Sequence, residues 1–311
     1  MVSGDLKMKN KIKPNPKKDF LYEIKEDGIT ITYYKGKIKD VVIPSEIDGY
    51  PVVVIGYRAF ENEQLINVVI PDSVETIYLW AFAENQLTNI IIPNSVTQIW
   101  PWAFENNQLT NAVIPDSVKE ISEGAFAHNR LTDVIIPDSV ETIEDGAFED
   151  NRLTNVIIPN SVKTIGRAAF RKNQLTNIVI PNSVETIDRA AFADNQLTNV
   201  VISDSVKIIG GLAFAYNQLD SVIIPNSIET IADWAFIGNQ LDSVVIPDSV
   251  KIIDDLAFAY NQLTNIVIPD SVEKIGDEAF IENQLIEVVI PNSVKTIGKN
   301  AFDDNVKIIR E

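Results

Sequence analysis

The chain has 311 residues, 45% of them hydrophobic, with no cysteine, one histidine and a formal net charge of -18. The acidic balance excludes the basic face that a nucleic-acid partner requires, and the missing thiols exclude disulfides and cysteine metal sites. There is no run of 18 apolar residues, so no membrane-inserted helix is expected.

Residues 1–19 are rich in lysine (Lys7, Lys9, Lys11, Lys13, Lys17, Lys18) and have no apolar core of the kind a signal peptide needs, so no signal peptide is expected here. They read as a disordered basic arm or a cloning remnant; the alternative is an arm that docks on something acidic. Residues 20–43 differ from the rest of the chain. Phe20 to Lys25 and Ile29 to Tyr34 are β-rich runs around an Asp27-Gly28 turn signal, which predicts a hairpin. A repeat array has no neighbour at its first turn, so this hairpin is expected to act as an N-terminal cap.

From residue 44 to 311 one unit of 22 residues recurs. Phenylalanines from Phe60 to Phe302 are spaced by 22, twelve in all, and prolines from Pro71 to Pro291 keep the same spacing except where Ser203 stands in a proline slot. A fixed period of this length predicts a solenoid, and it overrides the two-domain estimate that length alone suggests. The first unit is stretched by a Gly/Pro turn insertion, Glu46 to Pro51. The last is partial and ends in an expected closing strand from Asn305 to Glu311.

Numbering each unit from its proline, apolar residues at 20 and 22 predict a short strand with one buried face, which the next proline ends. Ser at 3 is expected to bond backbone inside its turn, and Asn at 15 suits a left-handed or backbone-bonded turn residue. Val at 4, Ile at 7, Ala-Phe at 11–12 and Leu at 17 supply the core. The Ala-Phe segment is expected to form a helical turn. Eleven stacked strands would make a parallel sheet about 50 Å long.

The pattern Leu-x-x-Val-x-Ile-Pro-x-Ser-Val-x-x-Ile-x-x-x-Ala-Phe-x-x-Asn, as in Leu153 to Asn173, resembles the leucine-rich repeat. More closely, it resembles the BspA-like subfamily of bacterial and protist surface proteins, as does the opening stretch from Val42 to Pro51. It departs from many members in carrying Asn where they carry Cys at position 15. The resemblance implies an α/β right-handed coil with a parallel sheet on its concave face. It also implies an extracellular or cell-surface location and a role in adhesion or binding of host proteins.

Several surface patterns are candidate sites. Position 21 faces out of the sheet and is an unbroken row of Val and Ile, including Ile91, Val113, Ile135, Ile157 and Val179. Position 19 beside it holds Asn89, Asn111, Asp133, Asn155 and Asn177. Either these β-branched residues simply favour strands, or the row is an apolar groove for a protein segment or a second copy of the chain. Tyr78, Trp80, Trp100 and Trp102 fall on two adjacent units. They are either structural packing or a stacking platform for a glycan.

Position 5 alternates in sign from Lys119 onward, which predicts ion pairs between neighbouring units. Asp and Asn at position 2 read as turn chemistry rather than calcium ligands. Arg167, Arg171, Lys172 and Arg189 form one basic spot beside the acidic unit that carries Glu144, Asp145, Glu149 and Asp150. With one histidine, His128, and no nucleophile elbow or phosphate loop, no catalytic residue, metal or cofactor is expected. The reading is a non-enzymatic interaction or adhesion module, with a carbohydrate-binding module or a structural spacer as alternatives.

Overall fold

A computed structural model describes residues 13–311. The chain winds through about thirteen turns of a β-solenoid with a period of 22 residues. The expected α/β class is not what forms. Among the described residues the only helix is a single 3-10 turn, Lys17–Asp19. The physical reason lies at positions 10 and 14, which adopt left-handed backbone in coil after coil, as at Trp80 (φ 53°) and Glu84 (φ 56°), or Ala168 (φ 53°) and Lys172 (φ 54°). Alternate N–H groups then point along the solenoid axis instead of back to their own chain. Trp80, Phe82 and Glu84 donate to the carbonyls of Pro101, Ala103 and Glu105 in the next coil. A segment wound as an α-helix would keep those bonds internal.

Two strand columns complete each coil. Positions 6–7 pair in parallel between coils, as in Thr142–Ile143 with Thr164–Ile165 and Thr164–Ile165 with Thr186–Ile187. Positions 19–21 pair less continuously. Asn89–Ile91 pairs with Asn111–Val113, and Asn177–Ile180 with Asn199–Ile202. Between them, Asp133–Ile135 keeps only a single bridge, Val113 to Ile135, and residues 155–157 form no strand. The expected eleven-stranded sheet is therefore a set of short pairs. Three residues ended by a proline offer few ladder bonds, and other segments of the coil carry the remaining coil-to-coil bonds.

The N-terminal strands are β1 (Phe20–Lys25), β2 (Gly28–Tyr34), β3 (Asp40–Val42), β4 (Glu46–Ile47) and β5 (Tyr50–Ile55). β1 and β2 form the antiparallel hairpin, and β2 runs parallel to β5, which leads into the column at positions 6–7. Phe20 and Tyr34 lie over Phe60 at ring distances of 6.3 and 5.4 Å, covering the open end of the core. The Glu46–Pro51 insertion is itself a hairpin, β4 with β5, turning on Asp48 (φ 54°) and Gly49 (φ 84°). Two successive positive φ values make the tight turn that matches strand twist. Most of the basic-arm stretch, residues 1–12, lies outside the described residues. Its end is tied down: Asn15 exchanges backbone and side-chain hydrogen bonds with Val42, and Lys17 contacts Asp48 at 2.6 Å. At the other end Lys307–Arg310 closes on Glu287–Ile290.

The core is a column of phenylalanine rings. Successive rings from Phe60 to Phe302 stack at 5.0–5.7 Å. Beside it runs a column of buried asparagines at position 15. Asn151 accepts from Leu131 N–H of the previous coil at 3.0 Å, and its amide reaches the carbonyls of Phe126, Phe148 and Glu149. Asn at 15 is thus the backbone-bonded residue, while the left-handed residue is its neighbour at 14. Ser at 3 also differs from expectation. In several coils it bonds the previous coil, as where Ser117 Oγ donates to Val96 O at 2.6 Å, while the buried hydroxyls of Ser161, Ser183, Ser271 and Ser293 have no partner among the described residues. In the vacant proline slot, Ser203 Oγ donates to Asn182 Oδ1 at 2.7 Å.

Asn151→Ala leaves a buried N–H and several carbonyls without their partner, and we expect a loss of about 3 kcal/mol in denaturant unfolding. At position 14, Lys172→Gly relieves the left-handed Cβ crowding and is expected to be neutral or to stabilise by up to about 1 kcal/mol, whereas Lys172→Val destabilises. A stabilising valine in the same assay contradicts the backbone assignment.

Candidate functional site

Three surfaces carry the residues singled out in the sequence. The first is the row at position 21. Because residues 20 and 22 turn into the core, residue 21 must turn out, and Ile91, Ile135, Ile157, Ile223, Val245 and Val267 are each 73–81% exposed. Val113 and Val179 are 51% and 62% exposed. The flanking Asn89, Asn111, Asp133, Asn155 and Asn177 are exposed as well. Ile157 and Val179, with Asn155 and Asn177, border a depression of about 350 Å³. The row is therefore apolar, solvent-facing and edged mostly by amides, with carboxylates at Asp133 and Glu287. Isolated exposed aliphatics need no explanation, but a contiguous line of them is a feature of interaction surfaces.

The second surface is aromatic. Trp80 and Trp102 stack at 4.9 Å with planes 8° apart, and Tyr78 and Trp100 stack at 5.0 Å and 6°. The sequence pattern alone does not reveal the residues that close the first stack. Arg58 lies 4.7 Å over the Trp80 ring, and Tyr57 meets its edge at 5.8 Å. At the far end Trp102 packs on Gly124, where an added Cβ would come within 2.3 Å of the indole. Tyr57, Arg58 and Gly124 occupy positions 9, 10 and 10 of their coils, so the 22-residue period places them. The insertion before Tyr57 obscures the first two. Trp80 and Trp102 thus have both faces covered and offer no platform. Trp100, which is 38% exposed, is different, since its neighbour in the next coil is the small Ser122.

The third surface is charged. Lys163, Lys207, Lys251 and Lys295 each donate to the glutamate one coil earlier at position 5, at 2.7–3.1 Å. The hydrogen bond from Lys163 holds the Glu141 carboxyl below the usual range, and Lys207 does the same for Glu185. Two of the four cations of the basic spot are paired: Arg171 bridges Glu149 and Asp194, and Arg189 reaches Asp233 two coils away. The Arg167 backbone N–H, rather than its guanidinium, donates to Asp145. His128 Nδ1 lies 3.0 Å from Asp150. No group of three or more metal-ligating side chains is present among the described residues, and no described helix is long and apolar enough to cross a membrane.

Glu144 sits at position 8 with Glu120, Asp145 and Glu123 around it, and burial, reinforced by those charges, pushes its carboxyl above the usual range. The fold therefore disfavours its ionised form, a penalty that is full above the raised pKa and absent below the unfolded value. Glu144→Gln is expected to be more stable than the parent at neutral pH, with the difference shrinking as pH falls through the carboxylate range in thermal melts. A difference that grows on acidification rules this out.

Comparison with known proteins bears on the fold. No curated protein sequence matches the chain. Among solved structures, it is similar to a leucine-rich repeat protein from Bacteroides ovatus, with a TM-score of 0.64 at 21% identity, covering 94% of this chain and 98% of that one. It is also similar to the pneumococcal vaccine antigen PcpA, with a TM-score of 0.65 at 19% identity, covering 94% and 86%. A third is a leucine rich cell surface protein from Faecalibacterium prausnitzii, with a TM-score of 0.52 at 24% identity, covering 95% and 94%. The family model for the BspA type leucine rich repeat region matches residues 30–154, 141–263 and 185–309. With the 22-residue coil, the phenylalanine column and the asparagine ladder in place, the chain belongs to the BspA type leucine-rich repeat family.

Proposed function

We propose that the chain is a non-enzymatic protein-interaction or adhesion module that binds an extended protein segment along the position-21 row, on the concave side of the coil. The single observation that carries this reading is the row itself. Its aliphatic side chains stand 41–81% exposed in the eleven coils from Val69 to Val289. At one strand spacing per coil the row is about 50 Å long, long enough to hold a peptide in extended form. Repeat solenoids commonly use such extended faces for binding. A location outside the cell or on its surface is inferred from the family and from the Faecalibacterium cell surface protein of the same fold. A second copy of the chain is a weaker occupant, because the net charge of -18 on each copy opposes self-association.

The test uses Ile135→Glu, Ile157→Glu and Val179→Glu together. Binding to immobilised extracellular-matrix proteins is expected to fall by at least about tenfold, equivalent to about 1.4 kcal/mol, with the melting curve unchanged because these side chains are exposed. Unchanged binding by the triple variant sinks the reading, and loss of a dimer in sedimentation would identify the second copy as occupant instead.

A further inference from the structure

From the geometry around Trp100 we infer that the groove it shares with the following coil is a binding site for a neutral saccharide, distinct from the position-21 row. Positions 5 to 8 of adjacent coils leave a groove between them. Between Lys207 and Ala232 that groove is floored by Gly210 and Ala232 and has no aromatic wall. At residues 97–122 the same groove has a volume of about 650 Å³, within the ordinary range for a small-molecule site. Here Trp100 forms one wall.

The Trp100 ring has one face on Tyr78 at 5.0 Å. The groove is lined by the Trp100 coil and the coil after it, so it lies on the other face. The stack ends there because position 8 of the next coil is Ser122, whose hydroxyl donates to the Ile99 carbonyl at 2.5 Å. An indole face with nothing stacked on it is electron-rich and attracts the slightly positive C–H face of a pyranose ring.

The rim supplies what the edge of such a ring needs. Gln98 and Lys119 line the groove as donors, and the Lys119 charge also helps to hold down the Glu141 carboxyl of the next coil. Lys119 stands apart from the later lysines at position 5 because the coil before it presents Thr97 rather than a glutamate. Glu120 adds a carboxylate acceptor to the lining, one oxygen of which lies 3.4 Å from the buried Ser122 hydroxyl. Donors and acceptors ringing an apolar wall match a polyol with one apolar face. The surrounding Glu120, Glu123 and Glu144 and the net charge of -18 disfavour an anionic sugar.

The experiment screens the full chain against immobilised gluco-, manno- and galacto-oligosaccharides and a panel of proline-rich and aromatic peptides, with tryptophan fluorescence measured in solution. Binding of at least one neutral oligosaccharide is expected. Trp100→Ala should weaken it by about tenfold or more. Ser122→Trp, which continues the Tyr78–Trp100 stack into the groove, should abolish it while leaving the fold intact. Trp102→Ala, which removes a ring already covered on both faces, should leave affinity unchanged in protein that still melts cooperatively. The triple position-21 variant should also bind the sugar as before, which separates this site from the proposed protein-binding row. The inference is overturned if no saccharide binds, if peptides alone bind in the groove, or if saccharide binding survives Ser122→Trp.

Discussion

No coil of this protein satisfies its own backbone. The asparagine at position 15 shows the constraint most plainly: Asn151 takes an N–H from the coil before it and gives its amide to carbonyls of both that coil and its own. The left-handed residues at 10 and 14 enforce the same dependence by turning their N–H groups to the next coil. A buried polar group without a partner costs about 1–3 kcal/mol, so an isolated coil would carry several such penalties. Stability therefore resides in the interfaces between coils, and the ends need special treatment. Phe20 and Tyr34 provide it at one end, and the strand Lys307–Arg310 at the other.

This dependence decides which residues are available for function. Phenylalanine, asparagine, leucine and the inward strand residues are committed to the column. The free positions are those where one coil can differ from the next without breaking the register, and the aromatic run shows the principle. Trp80, Trp102 and Arg58 use such a position to build a local stack and are consumed by it. Trp100 uses position 8 in the same manner, but the succession is cut by Ser122. Trp100 and Trp102 sit on one coil yet differ in role because of the residue each meets in the next turn.

The period, the core positions, the hairpin and the outward row are all legible in the residues, because periodic burial is written directly into side-chain type. The ion pairs at position 5 are legible for the same reason. The turn at Ala-Phe reads as helical and is not. Nothing in residues such as Ala168-Ala169 signals a left-handed backbone, which is imposed by hydrogen bonds to coils that the local sequence does not mention. A serine at position 3 such as Ser117 misleads likewise, its partner lying 21 residues away. The aromatic cluster is visible in the sequence as Tyr78, Trp80, Trp100 and Trp102 on two adjacent units, but not as open or covered ring faces. Which ring faces are open depends on Gly124 and Ser122, small residues that carry no signal until the coils are stacked.

The near-identity of successive rungs on the outward row has a further consequence. Between Asn155 and Asn265 position 19 is always Asn or Ser and position 21 always Val or Ile, while Asp133 and Glu287 stand beyond them. A short guest on this stretch would meet nearly the same surface after each one-rung translation. Its bound state would be a set of almost degenerate alignments rather than a single pose, and the entropy of that choice would favour association. A guest with its own repeating pattern could walk along the track without full release, and the flanking acids would act as its end stops.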